Sequence, residues 1–535
     1  AIFVPTFSEG PEGLVHIRID QIRPKVIVTD MGIYPRIKKA LELISAKIQD
    51  NTYSPTVIFV DEVPKDAAVA DHECARLDDV LSTSPFKRLT IDTIEQQKGT
   101  IAIVNHSSGS TGLPKAIATS HYAFVQRIHS RLHLIPVQKD TDTNLVTDGV
   151  AMTGFPMTYT YCLISTVMEH LARGIITIMA TELEVQNYME SLEKFGANQI
   201  RCSPSFLDMM VNFKDQLAKY DLSSLRTATC AGSTIEQAVK ANVERQLGIK
   251  VINEYGSSEM IYVCYDTGND IPYSVGRIAP GNQFKVVDQD GKEVGLNVVG
   301  QIMVKSPGRF MYYYNNLEMT IQAFENNDLD GFYKMGDVGE ITEDGIVKIY
   351  DRDKYTIHYK NKHYVAPSVI ESRLWQHPLV EDAIVMPYFS HELGTEVAQA
   401  FIVLANNGNN ELNGRRSHDS NLPLRRARST SSQSPPATQG GDDGNISNGS
   451  KASDIEENEG SSNGTATTVS DAAEAEMLDE IVTWTNQQAR FEGEKILGPV
   501  KAIPRPYFPR FSKGRRYEIF VMYVNPSKDD EINMD

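Results

Sequence analysis

The feature that most constrains the fold is an alternation of short β-branched runs with longer amphipathic segments over residues 1 to about 350. The runs include KVIVTD at 25–30, TVIFVDEV at 56–63, TIAIVNH at 100–106 and GIITIMA at 174–180. Strands that alternate with helical patterns are typical of α/β layering around a largely parallel sheet. The sequence therefore predicts a large layered α/β N-terminal domain over residues 1–350.

The sequence pattern changes at about residue 274, where short predicted strands separated by turn residues begin. They read QFKVVDQDGKEVG, GQIMVKSPG and GEITEDGIVKIYDRD, a pattern that favours a β-rich subdomain over about 274–350. A charged turn at 351–354 then precedes a new strand and helix pattern. We therefore predict a smaller α+β C-terminal domain over residues 351–535.

The most obvious interruption of the chain lies at about 406–471. This segment is polar, low in complexity and nearly free of aromatic residues, so it cannot bury enough surface to offset the entropy lost on ordering. It is predicted to be a disordered insertion, and its protein partners stay unknown. A helix is predicted to follow near 472–489, where apolar residues fall close to one face.

Charge and cysteine usage limit the classes of partner and compartment. The net charge of −18 would repel nucleic acid and anionic lipid, so small molecules or proteins are the expected partners. The five cysteines are scattered without CxxC pairs, which is typical of a reduced compartment. No leader, no transmembrane segment and no peroxisomal terminal signal is recognised, so the cytoplasm is predicted by elimination.

The segment SSGSTGLPK at 107–115 combines glycines, hydroxyl side chains and a lysine directly after a β-branched run. Such a loop can turn backbone N–H groups and hydroxyls around an anion, while the lysine adds a positive charge. The segment does not match the GxxxxGK[ST] pattern of a Walker A loop. By its spacing alone, a plain turn and a phosphate-binding loop both remain open.

Further motifs decide between these readings. SSGSTGLPK, followed by SH at 120–121, resembles the phosphate loop of the adenylate-forming superfamily, which contains acyl-CoA synthetases, luciferases and adenylation domains. Other motifs similar to those of this family follow in order: FPMTYTYCL at 155–163, LRTATCAGSTI at 225–235, NEYGSSEM at 253–260, GFYKMGDVGEI at 331–341 and DRDKYTIHYKNKHYVAPSVIE at 351–371. These motifs resemble those of the coumarate-CoA ligase and luciferase-like branch most. In that family the N-terminal domain extends before the position of residue 1, so the start of the domain is expected to be missing.

The resemblance implies ATP, Mg²⁺ and CoA as cofactors and a small carboxylic acid as substrate. It implies that the β- and γ-phosphates of ATP are held by Ser107, Ser108, Gly109, Ser110, Thr111, Gly112 and Lys115. It places the nucleotide against Gly232, Ser233, Thr234, Tyr255, Gly256, Ser257 and Ser258, with Tyr255 stacked on adenine and Ser258 at the α-phosphate. Glu259 would bind Mg²⁺, Asp337 the ribose hydroxyls, and Arg352 would support the same sugar.

The C-terminal domain of this family turns about a hinge between two catalytic steps. By resemblance, Lys354 is the hinge residue and Lys360 belongs to the face that forms the thioester, while Tyr159 lines the acyl pocket. The family's closing motif, PK[ST]xxGK, reads PRFSKGRRYEIF at 509–520. Arg515 therefore stands where the family has its adenylation lysine. Taken singly, each of these residues is also compatible with a core, turn or surface role.

Three functions follow from these observations. The first is an acid–thiol ligase that activates a fatty or aryl carboxylic acid and transfers it to CoA. The second is an adenylation domain that loads a carrier protein. The third is a non-catalytic relative that binds nucleotide, for which Arg515 and the missing start argue.

Overall fold

The structure is a computed structural model that describes residues 2–6, 12–48, 53–63, 73–81, 90–107, 113–134, 149–180, 184–213, 217–233, 235, 237–266, 271–360, 363–405, 471–489 and 494–502. A large mixed α/β region is followed by a smaller α+β region, which confirms the predicted fold class. The exact domain boundaries stay predictions. Within the described ranges, no helix combines the length and the apolarity that crossing a bilayer requires.

Two small sheets occupy the beginning of the chain. Its elements are α1 (Glu12–Ile22), β1 (Val26–Thr29), α2 (Tyr34–Ile48), β2 (Thr56–Phe59), β3 (Cys74–Arg76), α3 (Leu77–Val80), α4 (Ile94–Gly99), β4 (Ile101–His106), β5 (Ala116–Ser120) and α5 (His121–Leu134). Strands β1, β2 and β3 form a parallel sheet, whereas β4 and β5 pair antiparallel.

A parallel sheet forms the centre of the large region. Its elements are β6 (Val150–Thr153), a π-helix (Cys162–Met168), α6 (Glu169–Arg173), β7 (Ile176–Met179), α7 (Val185–Phe195), β8 (Gln199–Cys202), α8 (Pro204–Asn212), β9 (Thr227–Cys230), α9 (Gln237–Leu247) and β10 (Lys250–Tyr255). The spatial order is β7-β6-β8-β9-β10, and all these pairs are parallel. Helix α7 covers one face because its apolar side chains recur at helical spacing: Val185, Tyr188, Met189 and Leu192 are buried.

The sheet continues antiparallel beyond β10. The next elements are β11 (Cys264–Tyr265), β12 (Ser274–Ile278), β13 (Gln283–Val287), β14 (Gly300–Lys305), β15 (Tyr312–Tyr313), α10 (Leu317–Gln322), a 3₁₀ turn (Glu325–Asn327), β16 (Tyr333–Ile341) and β17 (Ile346–Arg352). All but β15 extend the large sheet in the order β10-β11-β12-β17-β16-β14-β13. Strand β15 instead joins β5 and β4 in a separate sheet.

The smaller region has its own apolar cluster, which includes Ile357, Ile370, Val385 and Ile481. Its elements are a 3₁₀ turn (Asp353–Tyr355), β18 (Ile357–Tyr359), β19 (His363–Val365), α11 (Pro367–Leu374), β20 (Val380–Ser390), β21 (Thr395–Leu404), α12 (Asp471–Gln487) and β22 (Ile496–Ala502). Strands β20, β21 and β22 form one sheet, and β18 pairs with β19. Helix α12 confirms the helix predicted near 472–489.

One expectation about pairing was wrong. The run TIAIVNH does not enter the parallel sheet, because β4 pairs antiparallel with β5 and bounds a separate sheet. The sequence AIATS at 116–120 is of mixed polarity and does not alternate as a strand would, yet all five of its residues are buried. Because β4 and β5 pair, the SSGSTGLPK segment connects two neighbouring strands.

The parallel strands place several loops at a single edge of the large sheet. Strands β9 and β10 run side by side, with Cys230 opposite Asn253. The segments that follow β9 and β10 therefore emerge next to each other. Ligands of open parallel sheets bind in the crevice outside the carboxyl ends of the strands, so this edge is the place to look for a site.

Candidate active site

The neck of the SSGSTGLPK loop is closed by two reciprocal hydrogen bonds. The backbone N–H of Ser107 donates to the carbonyl of Lys115 at 3.0 Å, and the backbone N–H of Lys115 donates to Oγ of Ser107 at 3.0 Å. The last residue of the loop is therefore fixed against its first. Residues 108–112 lie outside the described residues, so the predicted roles of Ser108, Gly109, Ser110, Thr111 and Gly112 stay predictions.

The loop lysine and the acidic residue of NEYGSSEM converge on one tyrosine. Nζ of Lys115 lies 5.1 Å from the centre of the Tyr313 ring, a cation–π distance. The hydroxyl of Tyr313 donates to Oε1 of Glu259 at 2.8 Å. The structure thus brings Lys115 and Glu259 together, although they are 144 positions apart in sequence. The sequence analysis predicts that Lys115 binds phosphate and that Glu259 binds metal.

The turn that carries Glu259 is tightly built. A Cβ at Gly256 would lie 2.7 Å from the backbone nitrogen of Tyr262 and 2.8 Å from the carbonyl oxygen of Met260, so only glycine fits there without a shift. Oγ of Ser257 accepts from the backbone N–H of Met260 at 3.1 Å, and the N–H of Ser257 donates to the carbonyl of Met260 at 3.2 Å. Gly256, Ser257 and the partly buried Ser258 hence form the turn that presents Glu259.

A second polar group joins this turn to the antiparallel half of the sheet. The hydroxyl of Tyr255 donates to Oδ2 of Asp337 at 2.6 Å. Nε of Arg352 lies 3.3 Å from Oδ1 of Asp337, since the two residues are directly opposite on β16 and β17. Burial raises the pKa of Asp337, although the Arg352 charge and the Tyr255 hydroxyl act in the opposite direction. The tyrosine is thus tied to the predicted ribose-binding carboxylate, while its stacking on adenine stays a prediction.

The segment AGSTI at 231–235, which follows β9, lies beside this turn. Gly232 and Ser233 are exposed and directly follow the last residues of the strand next to β10. Gly232 adopts φ +91°, a conformation that side chains other than glycine rarely take. This placement is compatible with the predicted adenine edge. Thr234 lies outside the described residues.

The remaining predicted residues lie elsewhere. Tyr159 is 38% exposed, and its ring packs edge-on against Phe155 at 6.3 Å. Lys354 and Lys360 are exposed at the start of the smaller region. The backbone N–H of Lys360 donates to Oγ1 of Thr395 at 2.5 Å. The predicted roles of these three residues stay predictions. Arg515 and residues 406–470 of the predicted insertion lie outside the described residues.

The donor set around Glu259 fits a magnesium ion that also binds phosphate. Within the described part of the chain, no three His, Cys, Asp or Glu side chains gather as a metal cluster. Mg²⁺ commonly takes one or two carboxylates and completes its shell with water and substrate phosphates. The single carboxylate of Glu259, which is 7% exposed and contacts the same tyrosine as Lys115, meets that requirement.

Histidine 106, at the end of β4, is a buried polar residue next to the loop neck. Its exposed fraction is 5%, and neither ring nitrogen has a hydrogen-bond partner among the described residues. Burial lowers the pKa of His106 to about 4, and the nearby charge of Arg18 acts in the same direction. The imidazole is therefore neutral at pH 7, and the sequence had not singled it out.

Sequence reasoning also missed two tyrosines of the site. Tyr313 bridges Lys115 and Glu259, and its hydroxyl lies 3.3 Å from that of Tyr333. Burial raises the pKa of both tyrosines, so they act as neutral hydrogen-bonding groups. The run YYY at 312–314 was the available signal, but nothing in it indicates which ring faces Glu259.

The chain is similar to known proteins in both sequence and fold. The family model for AMP-binding enzymes matches residues 1–314. The chain is 29% identical over 401 residues to a probable 4-coumarate–CoA ligase 3 of Dictyostelium discoideum, covering 72% of this chain and 69% of the relative. It is 30% identical over 308 residues to a luciferin 4-monooxygenase of Luciola mingrelica, covering 57% and 54%. A solved anthranilate CoA ligase in complex with anthranoyl-AMP shares the fold, with TM-score 0.66, 17% identity and coverage of 98% of this chain and 83% of that chain.

Proposed function

The chain belongs to the AMP-binding family of adenylate-forming enzymes, and on that premise we propose that it joins a carboxylic acid to CoA at the expense of ATP. In the first step the substrate carboxylate attacks the α-phosphorus of ATP, giving an acyl adenylate and pyrophosphate. In the second step the thiol of CoA attacks the acyl carbonyl and AMP leaves. The observation that carries the proposal is the convergence of Lys115 and Glu259 on Tyr313.

The first step needs charged and polar groups at the phosphates, and three described residues are proposed to provide them. Negative charge on the phosphoryl oxygens is stabilised by fixed donors and cations in a water-poor site. Lys115 supplies a cation at the loop neck, and Ser258 is proposed to contact the α-phosphate. A magnesium ion held by Glu259 would neutralise further phosphate charge.

The antiparallel half of the sheet is proposed to hold the sugar. Asp337 accepts from Tyr255 at Oδ2 and pairs with Arg352 at Oδ1. The carboxylate is thus oriented from two sides, and its remaining lone pairs are suited to accept from the ribose hydroxyls. Gly232, Ser233 and Thr234 are proposed to line the adenine.

The second step is proposed to use the smaller region. Lys354 lies in the 3₁₀ turn Asp353–Tyr355, directly after β17, where a change of backbone angles would swing everything that follows. Lys360 is proposed to lie on the face that meets CoA, and Tyr159 to line the acyl pocket. The acid is proposed to be fatty or aryl, and the cytoplasm stays the predicted location.

One assay separates this function from its two alternatives. The purified protein is incubated with ATP, Mg²⁺ and a panel of fatty and aryl acids, with and without CoA, and pyrophosphate and thioester are followed. Formation of both products supports the ligase. Pyrophosphate without thioester supports an adenylation domain that loads a carrier, and ATP binding without pyrophosphate supports a non-catalytic relative.

We expect Lys115→Ala to lower the rate of pyrophosphate release about 10²-fold, because a cation is removed from the developing phosphoryl charge. The rate is measured at saturating acid over a range of ATP concentrations. Lys292→Ala, which removes an exposed lysine on the turn after β13, is the control and should behave as the wild type. Equal rates in Lys115→Ala and the control would overturn the role of the loop.

We expect Arg515→Lys to raise the rate of pyrophosphate release, because the family has lysine at this transition-state position and arginine is planar, bulkier and differently hydrated. The thioester-forming step, measured from pre-formed acyl adenylate, should not change. Lys513→Arg in the same segment is the control. A rate that stays equal to that of the wild type would contradict the assignment of residue 515 to adenylation.

A further inference from the structure

Helix α5 carries two buried arginines one turn apart. Arg127 is 2% exposed and Arg131 is 1% exposed, and residues four positions apart lie on the same face of a helix. The helix starts at His121, directly after β5, and β5 is the strand into which the loop lysine leads. Both guanidiniums therefore belong to α5, the helix that follows β5 and the SSGSTGLPK loop.

Arg127 reaches the carbonyl oxygen of Glu259 itself. Its Nη2 donates to that oxygen at 2.9 Å, and its Nε donates to the carbonyl oxygen of Gly308 at 2.6 Å. The backbone N–H of Phe310 donates to the same Glu259 oxygen at 2.9 Å. The backbone of Glu259 is therefore held by two donors, one of them a fully buried guanidinium.

The charge of Arg127 is placed among neutral oxygens. Its third contact, from Nη1 to Oγ1 of Thr119, is 3.5 Å long, and no ion pair of Arg127 is seen within the described ranges. Burial lowers its pKa to about 9, whereas the nearby charge of Glu259 acts in the opposite direction, so Arg127 still carries its charge at pH 7. A buried charge that no carboxylate contacts directly is costly, so a packing role alone does not account for an arginine at this position.

Arg131 holds the other end of the same turn. Its Nη1 lies 2.8 Å from Oε2 of Glu254, the residue that directly precedes Tyr255. The hydroxyl of Tyr161 donates to the same Glu254 oxygen at 2.9 Å. Helix α5 therefore contacts the segment 254–259, which runs from the end of β10 to Glu259, at both ends. It binds the side chain of the first residue and the carbonyl oxygen of the last.

The space around Arg127 is tightly limited. A Cβ at Gly308 would lie 2.9 Å from Cγ of Arg127 and 3.7 Å from the carbonyl oxygen of Ala123. Contacts below 3.0 Å require one partner to move, and here the nearest atom lies in the middle of a buried side chain. Gly308 therefore permits the position from which the guanidinium reaches Glu259.

We propose that Arg127 is a positioning residue, which together with Arg131 forms an arginine clamp that holds the segment 254–259 and orients the Glu259 carboxylate toward the magnesium ion that would bind with ATP. This proposal rests on the proposed function for the role of Glu259. The clamp also connects that segment to α5, the helix that follows β5 and the SSGSTGLPK loop. The two segments proposed to bind ATP therefore keep a fixed separation.

The catalytic test compares Arg127→Lys, Arg127→Gln and Gly308→Ala with the wild type in ATP–pyrophosphate exchange. Misplacing a catalytic group by about 1 Å can cost about 10²-fold in rate, so we expect a loss of that order in kcat for Arg127→Gln. The KM for the carboxylic acid should not change, and the Mg²⁺ concentration needed for half-maximal rate should rise. Gly308→Ala should shift the same quantities less.

Hydrogen exchange tests the clamp without relying on activity. Amides of residues 257, 260 and 310, which are hydrogen-bonded around the turn, should exchange faster in Arg127→Gln, while those of β8 and β9 should keep their wild-type rates. Arg245→Gln is the control, because Arg245 is exposed on α9, where its Nη2 donates to Oδ1 of Asn242 at 2.7 Å. It should leave both the exchange of the turn and kcat unchanged.

The outcomes separate the clamp from the proposed function. Faster exchange of the turn together with the kcat loss supports the proposal. Unchanged exchange of the turn in Arg127→Gln, or an equal increase over β8 and β9, overturns it. If the wild type shows no pyrophosphate exchange with any acid, the proposed function fails, and the exchange measurement still decides whether the clamp holds the turn.

Discussion

Replacing Glu259 by glutamine is expected to lower the rate of pyrophosphate release by about 10²- to 10³-fold, the usual loss when one fixed electrostatic contact to a transition state is removed. Glutamine keeps the size of the side chain and an oxygen that can accept from the hydroxyl of Tyr313, which now lies 2.8 Å from Oε1. The variant therefore removes the charge and leaves the local packing intact. The loss should shrink only slightly at high Mg²⁺, because the carboxylate ligand itself is gone.

The control for this experiment is Glu343→Gln. Glu343 lies on the turn between β16 and β17, and its Oε1 accepts from the side chain of Asn297 at 3.2 Å. It is expected to keep the wild-type rate and the wild-type Mg²⁺ requirement. If Glu259→Gln and Glu343→Gln gave the same rate, the acidic residue of NEYGSSEM would not act in adenylation.

Replacing Glu169 by glutamine is expected to destabilise the fold by about 3–5 kcal/mol, the usual cost of leaving buried charge uncompensated. Glu169 is 1% exposed and pairs with three arginines. Its Oε1 lies 3.0 Å from Nε of Arg173 and its Oε2 3.3 Å from Nη2 of Arg201, while Nε of Arg131 also binds Oε2. Without this charge, Glu254 is the one carboxylate left in the network among the residues that the structure describes. Urea unfolding of the full chain at pH 7 measures the change.

The exposed Glu190, which accepts from Gln186 at 3.2 Å on α7, supplies the control. Glu190→Gln should change the free energy of unfolding by no more than about 0.5 kcal/mol. A change of that size in Glu169→Gln as well would show that the network contributes nothing measurable to stability.

The stability difference between the wild type and Glu169→Gln should also depend on pH. The three arginines lower the pKa of Glu169 to about 2, below its ordinary value of 4.5. A carboxylate with a lowered pKa stabilises the fold fully above its unfolded-state value, and this contribution is lost as pH falls through the folded value. The difference should hence be constant above about pH 5 and shrink between 4.5 and 2. A difference that persists at its full size near pH 2 would assign the effect to packing instead of charge.

Much of the fold was accessible from the sequence because its local signals are strong. The β-branched runs at 25–30, 56–63 and 174–180 are strands in parallel sheets, as the α/β alternation predicted. The turn-rich stretch from 274 contains strands β12 to β17. The helix near 472–489 was predicted from a single apolar face.

The pairing of β4 with β5 was not accessible. Five buried residues of mixed polarity, AIATS, carry no alternation of apolar and polar side chains. A strand of this kind is defined by its neighbours on both sides, here β4 and β15. Their position depends on chain segments almost 200 residues apart.

The candidate site shows the same division. Ordered motifs identified Lys115, Glu259, Asp337 and Arg352, and in the structure the first two both contact Tyr313 while the other two pair directly. The residues that hold them in place were not recognised, because Tyr313 and Arg127 belong to no motif. Arg127 reads in sequence as an ordinary polar position of an amphipathic helix.

The sequence by itself determined the fold class and the kinds of chemical group available, because β-branched runs, glycine turns and short ordered motifs act over a few neighbouring residues. Only the tertiary structure decided which groups meet. The contact of Glu259 with Tyr313, and of its carbonyl with Arg127, depends on how α5 and β15 pack against the turn after β10. Such contacts arise from the burial of surfaces distant in sequence, and no local pattern encodes their geometry.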